Sequence, residues 1–161
     1  MRSVSRFAVS GFSMPELVIV IVIAGVVAVS VIPKFDTALG LRDDAWRDQV
    51  LAALRYGQKS AVAHRRLVCA TVSSASISLR IASANPASSC NSDLKGPEGS
   101  AVFATNGDSG SSTSVSPAGL IYFQPDGRVT SDGAGVTASS RTVSMSGVSS
   151  ITVNGETGYV E

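Results

Sequence analysis

The chain has 161 residues and a formal net charge of +1, with two cysteines and one histidine. Near-neutrality excludes a protein that acts through a basic field over its whole surface, and so few soft ligands exclude a closed zinc site. The apolar excess sits mostly in one run near the N-terminus, which excludes a polytopic membrane protein.

That run is Leu17 to Ile32, without an ionisable side chain, and it begins one residue after Glu16. Upstream lie a short basic stretch with Arg2 and Arg6 and a Gly11-Phe12 junction. Counted from Phe12, the stretch predicts a helix of about 31 Å, which matches a hydrocarbon core of about 30 Å. A secretory signal peptide is the competing reading. Glu16 at the head of the run, the length of the run, and the lack of an Ala-x-Ala junction after Ile32 count against it. Arg2 and Arg6 keep the N-terminus cytoplasmic, so the remainder is expected on the far side of the membrane.

Gly11-Phe-Ser-Met-Pro-Glu16-Leu-Val-Ile-Val-Ile21 resembles the prepilin cleavage and methylation motif of type IV pilins and type II secretion pseudopilins. Met14 and Pro15 depart from the commoner residues, but a proline is tolerated in a first helical turn. The resemblance implies cleavage between Gly11 and Phe12, N-methylation of Phe12, and an assembly role for Glu16. Pro33 falls where many pilins carry a helix-bending proline. The implied partners are a prepilin peptidase, other pilins or pseudopilins in a filament, and an inner-membrane assembly platform.

A carboxylate in lipid costs about 2.5–3.5 kcal/mol on insertion scales, so Glu16 calls for a partner or a function. After cleavage, the amine of Phe12 on a neighbouring subunit could pair with it and set the register between subunits. The alternative is that Glu16 lies at the headgroup level and favours the positive end of the helix dipole.

Beyond Pro33 the pattern turns amphipathic. Trp46, Val50, Ala53, Leu54, Gly57 and Ala61 recur at three- and four-residue spacing and predict a stripe that a sheet must cover. Gly40 is expected to loosen the junction between the two helical halves. Arg55, Lys59, Arg65 and Arg66, with His64, gather near the helix end. They could contact DNA, or simply form a solvated helix end near an anionic membrane surface.

From Leu67 the chain predicts strands: Leu67–Val72, Ile77–Ile81, a short one at 101–104, and a hairpin of 120–124 with 128–130 turned at Asp126-Gly127. Segments 142–145, 151–153 and 158–160 are expected to continue that hairpin, with Asn154-Gly155 as a further tight turn. Residues 82–118, rich in Ser, Gly, Asn and Pro, otherwise read as a surface loop or disorder. The expected fold class is α+β, a long N-terminal helix packed on an antiparallel sheet or two. The expected divisions are a leader 1–11, an assembly helix 12–33, an amphipathic helix 34–66 and a β-rich head 67–161.

In an oxidising compartment Cys69 and Cys90 would form a disulfide; a metal half-site is the alternative, but further ligands are lacking. Residues 55–64 with the following strand, Gly119 to Arg128, and Thr157-Gly-Tyr-Val160 resemble the GspH/FimT-like group. That group includes minor pilins of twitching and mannose-sensitive haemagglutinin (MSHA) pili and the secretion pseudopilin H. Some members bind DNA through a C-terminal Gly-Arg-x-Arg loop. This chain has Gly158-Tyr-Val-Glu161 instead, so DNA is not an expected partner.

Two fragments imitate catalytic motifs. Gly107-Asp-Ser-Gly110 copies the surroundings of a serine nucleophile, but the sole histidine, His64, lies on the predicted helix. Gly133-x-Gly135-x-x-Ala138 imitates a dinucleotide fingerprint without a βαβ unit. The expectation is a non-enzymatic structural subunit without cofactors or metal, either a minor pilin (MSHA-like among the options) or a GspH-like pseudopilin. A DNA-uptake minor pilin is a further alternative.

Overall fold

The computed structural model describes residues 13–107 and 112–161; the side chains of residues 29–41 lie outside the description. The chain divides into two compact units between Leu39 and Gly40. One helix, α1, is assigned from Met14–His64 and contributes to both. Among its described residues the second unit adds nine strands: β1 (Val68–Val72), β2 (Ser76–Ile81), β3 (Ser92–Asp93), β4 (Val102–Thr105), β5 (Thr113–Ser116), β6 (Ile121–Phe123), β7 (Val129–Thr130), β8 (Arg141–Met145) and β9 (Ile151–Val153).

The strands form two antiparallel sheets. The larger has the order β3-β2-β1-β6-β7, with β4 also beside β2, and the smaller is β5-β8-β9. The expectation that β8 and β9 extend the β6–β7 hairpin is therefore corrected: they pair with each other and with β5. Residues 158–160 contribute only a bridge from Val160 to Val153. The short strand expected at 101–104 is β4, and the rest of 82–118 is corrected, since it also supplies β3 and β5.

Trp46, Val50, Ala53, Leu54, Gly57 and Ala61 are all buried. They pack with Val68, Ala70, Ile77, Leu79, Ile121 and Phe123 of the larger sheet and Val143, Ile151 and Val153 of the smaller. Gly57 permits the closest approach: a Cβ there would stand 3.3 Å from the Phe123 ring and 3.4 Å from Leu79. Successive residues of a strand point to opposite faces. Leu67, Cys69 and Tyr122 accordingly form a second, smaller cluster with Ala82, Ala87 and Cys90. Cys69 and Cys90 are joined in a disulfide.

The β6–β7 turn forms as expected from Asp126-Gly127. Gly127 N–H donates to Gln124 O at 3.0 Å, Gln124 N–H to Arg128 O at 2.8 Å, and Gly127 takes φ 95°. Burial opposes the charge on Asp126, but Arg128 donates side-chain and backbone N–H groups to the carboxylate and holds its pKa below the ordinary value. The turn at Gly96-Pro97-Glu98-Gly99 repeats this pattern, with Gly99 N–H on Gly96 O and Gly96 N–H on Ser100 O. Asn154-Gly155 opens a hairpin as expected, with Val153 bridged to Val160, but through a loop longer than two residues. Asn154 Oδ1 accepts the N–H groups of Glu156 and Thr157, each at 3.0 Å, and the left-handed residue is Gly158.

The helix stops at His64, as its periodicity predicts, in a Schellman arrangement. Arg66 N–H donates to Ala61 O at 3.1 Å and Arg65 N–H to Val62 O at 3.2 Å. Arg65 occupies the position where glycine is usual, with φ 50°. A left-handed conformation costs an L-residue roughly 1–2 kcal/mol. Arg65→Gly is expected to raise stability by about 1 kcal/mol, read from the denaturant midpoint at unchanged m-value. Replacing both Cys69 and Cys90 by alanine is expected to lower it by roughly 3 kcal/mol in the same measurement, because the disulfide closes a loop of separation 21.

Candidate assembly site

The N-terminal part of α1 is defined by how it starts and by what it leaves uncovered. Leu17 N–H donates to Ser13 O at 3.1 Å, which places Ser13 at the N-cap. Glu16, three residues on, accepts the Ser13 N–H at 3.5 Å through Oε2. Ser13-x-x-Glu16 is thus the carboxylate half of a capping box, a pattern legible in the sequence. The carboxylate serves its own helix, and it also complements the positive end of the dipole.

From Leu17 to Val27 every residue is exposed, and the large apolar side chains are each 51–65% accessible. Eleven consecutive residues cover all faces of a helix with 3.6 residues per turn. No stripe is set aside for a core, so the surface is matched to an apolar surrounding rather than to one packed neighbour. Among the described residues, no helix is long and apolar enough to cross a membrane. The expected span 12–33 extends at both ends past the residues whose side chains are described.

The other predicted site residues divide as follows. Gly11 and Phe12, the expected processing junction, lie outside the described residues, as does the side chain of Pro33. Arg55 is engaged: its Nε and a terminal nitrogen donate to Val160 O at 3.2 and 3.0 Å. It ties the C-terminal segment to the helix, aided by Gln58 Nε2 on Thr157 O at 3.2 Å. Lys59, His64, Arg65 and Arg66 are exposed. Of the two catalytic imitations, 108–111 lie outside the described residues, and 131–138 form a turn closed by Ser131 N–H on Thr137 O at 3.1 Å.

One polar centre escaped the sequence reading. Arg141 is 4% exposed at the start of β8, donating to Pro117 O at 2.8 Å and to Ser131 O at 3.4 Å. Nothing in Ser140-Arg141-Thr142 marks it as buried, because a charged residue at a strand end is ordinarily solvated.

No protein-family model matches the sequence, and no curated protein does. In fold, the chain is similar to the type IV minor pilin FimU of Pseudomonas aeruginosa, with a TM-score of 0.54 at 13% identity. The match covers 74% of this chain and 86% of FimU. The α+β architecture, a long helix followed by an antiparallel β head, is a pilin-type fold.

Arg55→Met keeps the aliphatic stem but removes both donors to Val160 O. It is expected to cost about 1–2 kcal/mol and to raise amide exchange at Thr152 and Asn154, whose N–H groups bond Glu161 O and Tyr159 O.

Proposed function

We propose that this chain is a minor pilin, a structural subunit of a type IV pilus that assembles through its N-terminal helix. The reading rests on one observation above the rest: a charge-free helix exposed on every face from Leu17 to Val27, joined to a head of pilin-type fold. In this reading a prepilin peptidase cuts between Gly11 and Phe12, and Phe12 is N-methylated. Residues 12–33 hold the subunit in the inner membrane with its head in the periplasm. Assembly transfers that helix from lipid to the apolar interior of a filament of other pilins, at an inner-membrane platform. Both surroundings solvate the same side chains, so the transfer needs no refolding of the head.

Glu16 carries two roles in sequence. In the separate subunit its carboxylate receives the Ser13 N–H. In the filament it pairs with the amine of a neighbouring Phe12, which offsets its desolvation and sets the axial register. A pseudopilin of type II secretion would use the same helix for a shorter filament; likeness to a pilus subunit favours the pilus. DNA contact by the basic helix end is less favoured, because Arg55 is committed to Val160 O.

Mass spectrometry of the chain from a strain with its peptidase is expected to find Phe12 first and methylated. A chain beginning at Met1, or cut after Ile32, overturns the proposal. Glu16→Gln preserves a side chain able to cap Ser13 while removing the charge. It and Glu16→Ala are both expected to reduce filament incorporation about tenfold or more, the equivalent of roughly 1.4 kcal/mol. Normal incorporation of Glu16→Gln would confine Glu16 to capping.

A further inference from the structure

We infer that the Cys69–Cys90 disulfide acts as a redox-dependent clasp that holds the two sheets of the head together, through Gly133 and the buried guanidinium of Arg141. The chain of contacts starts at Ser88, two residues before Cys90 and inside the loop that the disulfide closes. Gly133 lies directly against Ser88: a Cβ on Gly133 would stand 1.9 Å from Ser88 O and 2.6 Å from its carbonyl carbon. Both are backbone atoms, so the fit depends on where loop 86–90 sits.

Gly133 belongs to the turn that follows β7, and that turn is part of the wall around Arg141. Ser131 O accepts one terminal nitrogen of Arg141, and Pro117 O, on the β5–β6 connection, accepts the other. Arg141 itself begins β8. One guanidinium therefore joins β8, of the smaller sheet, to the end of β7 and the approach to β6, of the larger. It is incompletely satisfied, since its Nε is buried without a hydrogen-bond partner. Among the described residues no carboxylate forms an ion pair with it. A buried cation held by carbonyls alone gains hydration on exposure. This junction is consequently where the head opens once the wall is released.

The wall has other supports. Gln124 Nε2 donates to Thr130 Oγ1 at 2.8 Å and to Gly133 O at 3.4 Å, and Ser83 and Asn91 bond across the stem of the disulfide loop. The stem bonds are exposed, and each contributes little in water. Between that stem and Gly133, only the disulfide is covalent. Closing it joins two thiols with loss of two protons and two electrons to a disulfide-bearing oxidant, which departs as a dithiol. The two sheets also share one core under α1 and are joined by Val129 N–H on Gly155 O and Ser139 N–H on Val129 O, so oxidation tightens the part of their junction that these contacts leave to Arg141.

Peptide-resolved hydrogen–deuterium exchange on the full chain in detergent micelles tests this, oxidised and after reduction with dithiothreitol. Reduction is expected to raise exchange in 117–120 and 141–145 about tenfold or more beyond the rise in 46–61, which follows the global loss of stability. Gly133→Ala is expected to do the same with the disulfide closed. An increase confined to 67–91 overturns the inference, and so does a rise on reduction that is as large in 46–61 as in 117–120 and 141–145. If Gly133→Ala unfolds the whole head, Arg141→Met decides. With that side chain uncharged, 141–145 should no longer respond to reduction, and a response of undiminished size overturns the clasp.

Discussion

The head depends on one contact, the seating of α1 on the larger sheet at Gly57 and Phe123. A Cβ at residue 57 would stand only 3.3 Å from the ring of Phe123, so helix and sheet approach more closely than larger side chains there would allow. That approach lets Val50, Ala53, Leu54 and Ala61 become fully buried. Burying an aliphatic side chain is worth about 1.5–3 kcal/mol, and the strands, two to six residues long, bury Ile77, Leu79, Ile121 and Ile151 in the same core. The helix supplies one continuous apolar surface on which short strands from distant parts of the chain can meet. Trp46 extends the arrangement to the smaller sheet, its indole N–H on Thr113 Oγ1 at 2.9 Å.

The opposite face of the larger sheet is covered differently. Loops rather than a helix lie over Leu67, Cys69 and Tyr122, and loops bury little area per residue ordered. A covalent cross-link compensates for that shortfall, and the glycine at 133 allows a second loop to rest on the first. The buried Arg141 belongs to the same problem. It joins elements that share no ladder, using carbonyls of connecting segments. Polar groups at such a junction fix which segments meet, at an energetic cost that the closed loops maintain.

The N-terminal part of α1 follows another rule. Its residues satisfy their backbone within the helix, and its start is capped by Ser13 and Glu16, so its secondary structure needs no tertiary support. Its large apolar side chains from Leu17 to Val27 are exposed. The two compact units thus solve separate problems: the head buries its own apolar surface, whereas the N-terminal helix presents its apolar surface outward.

The sequence by itself determined what depends on local periodicity and local chemistry. The helical stripe from Trp46 to Ala61, the alternation in β2, the Pro-Asp-Gly turn before Arg128 and the Ser13-to-Glu16 helix start are all readable within a few residues of each feature. Pro97-Glu98-Gly99 carried the same turn signal as 125–127, hidden in a stretch of low-complexity composition. Only the tertiary structure decided the sheet partition, in which β5 leaves its neighbours in sequence to pair with β8. It also decided that Asn154-Gly155 turns through a side-chain bond, with Gly158 taking the left-handed backbone. Arg65 in a glycine position, Arg55 bound to Val160 and Arg141 buried were decided there too. The physical reason is common to all of these. Pairing between short strands and burial of a charge are settled by which surfaces remain uncovered after the helix has docked, and no window of adjacent residues contains that information.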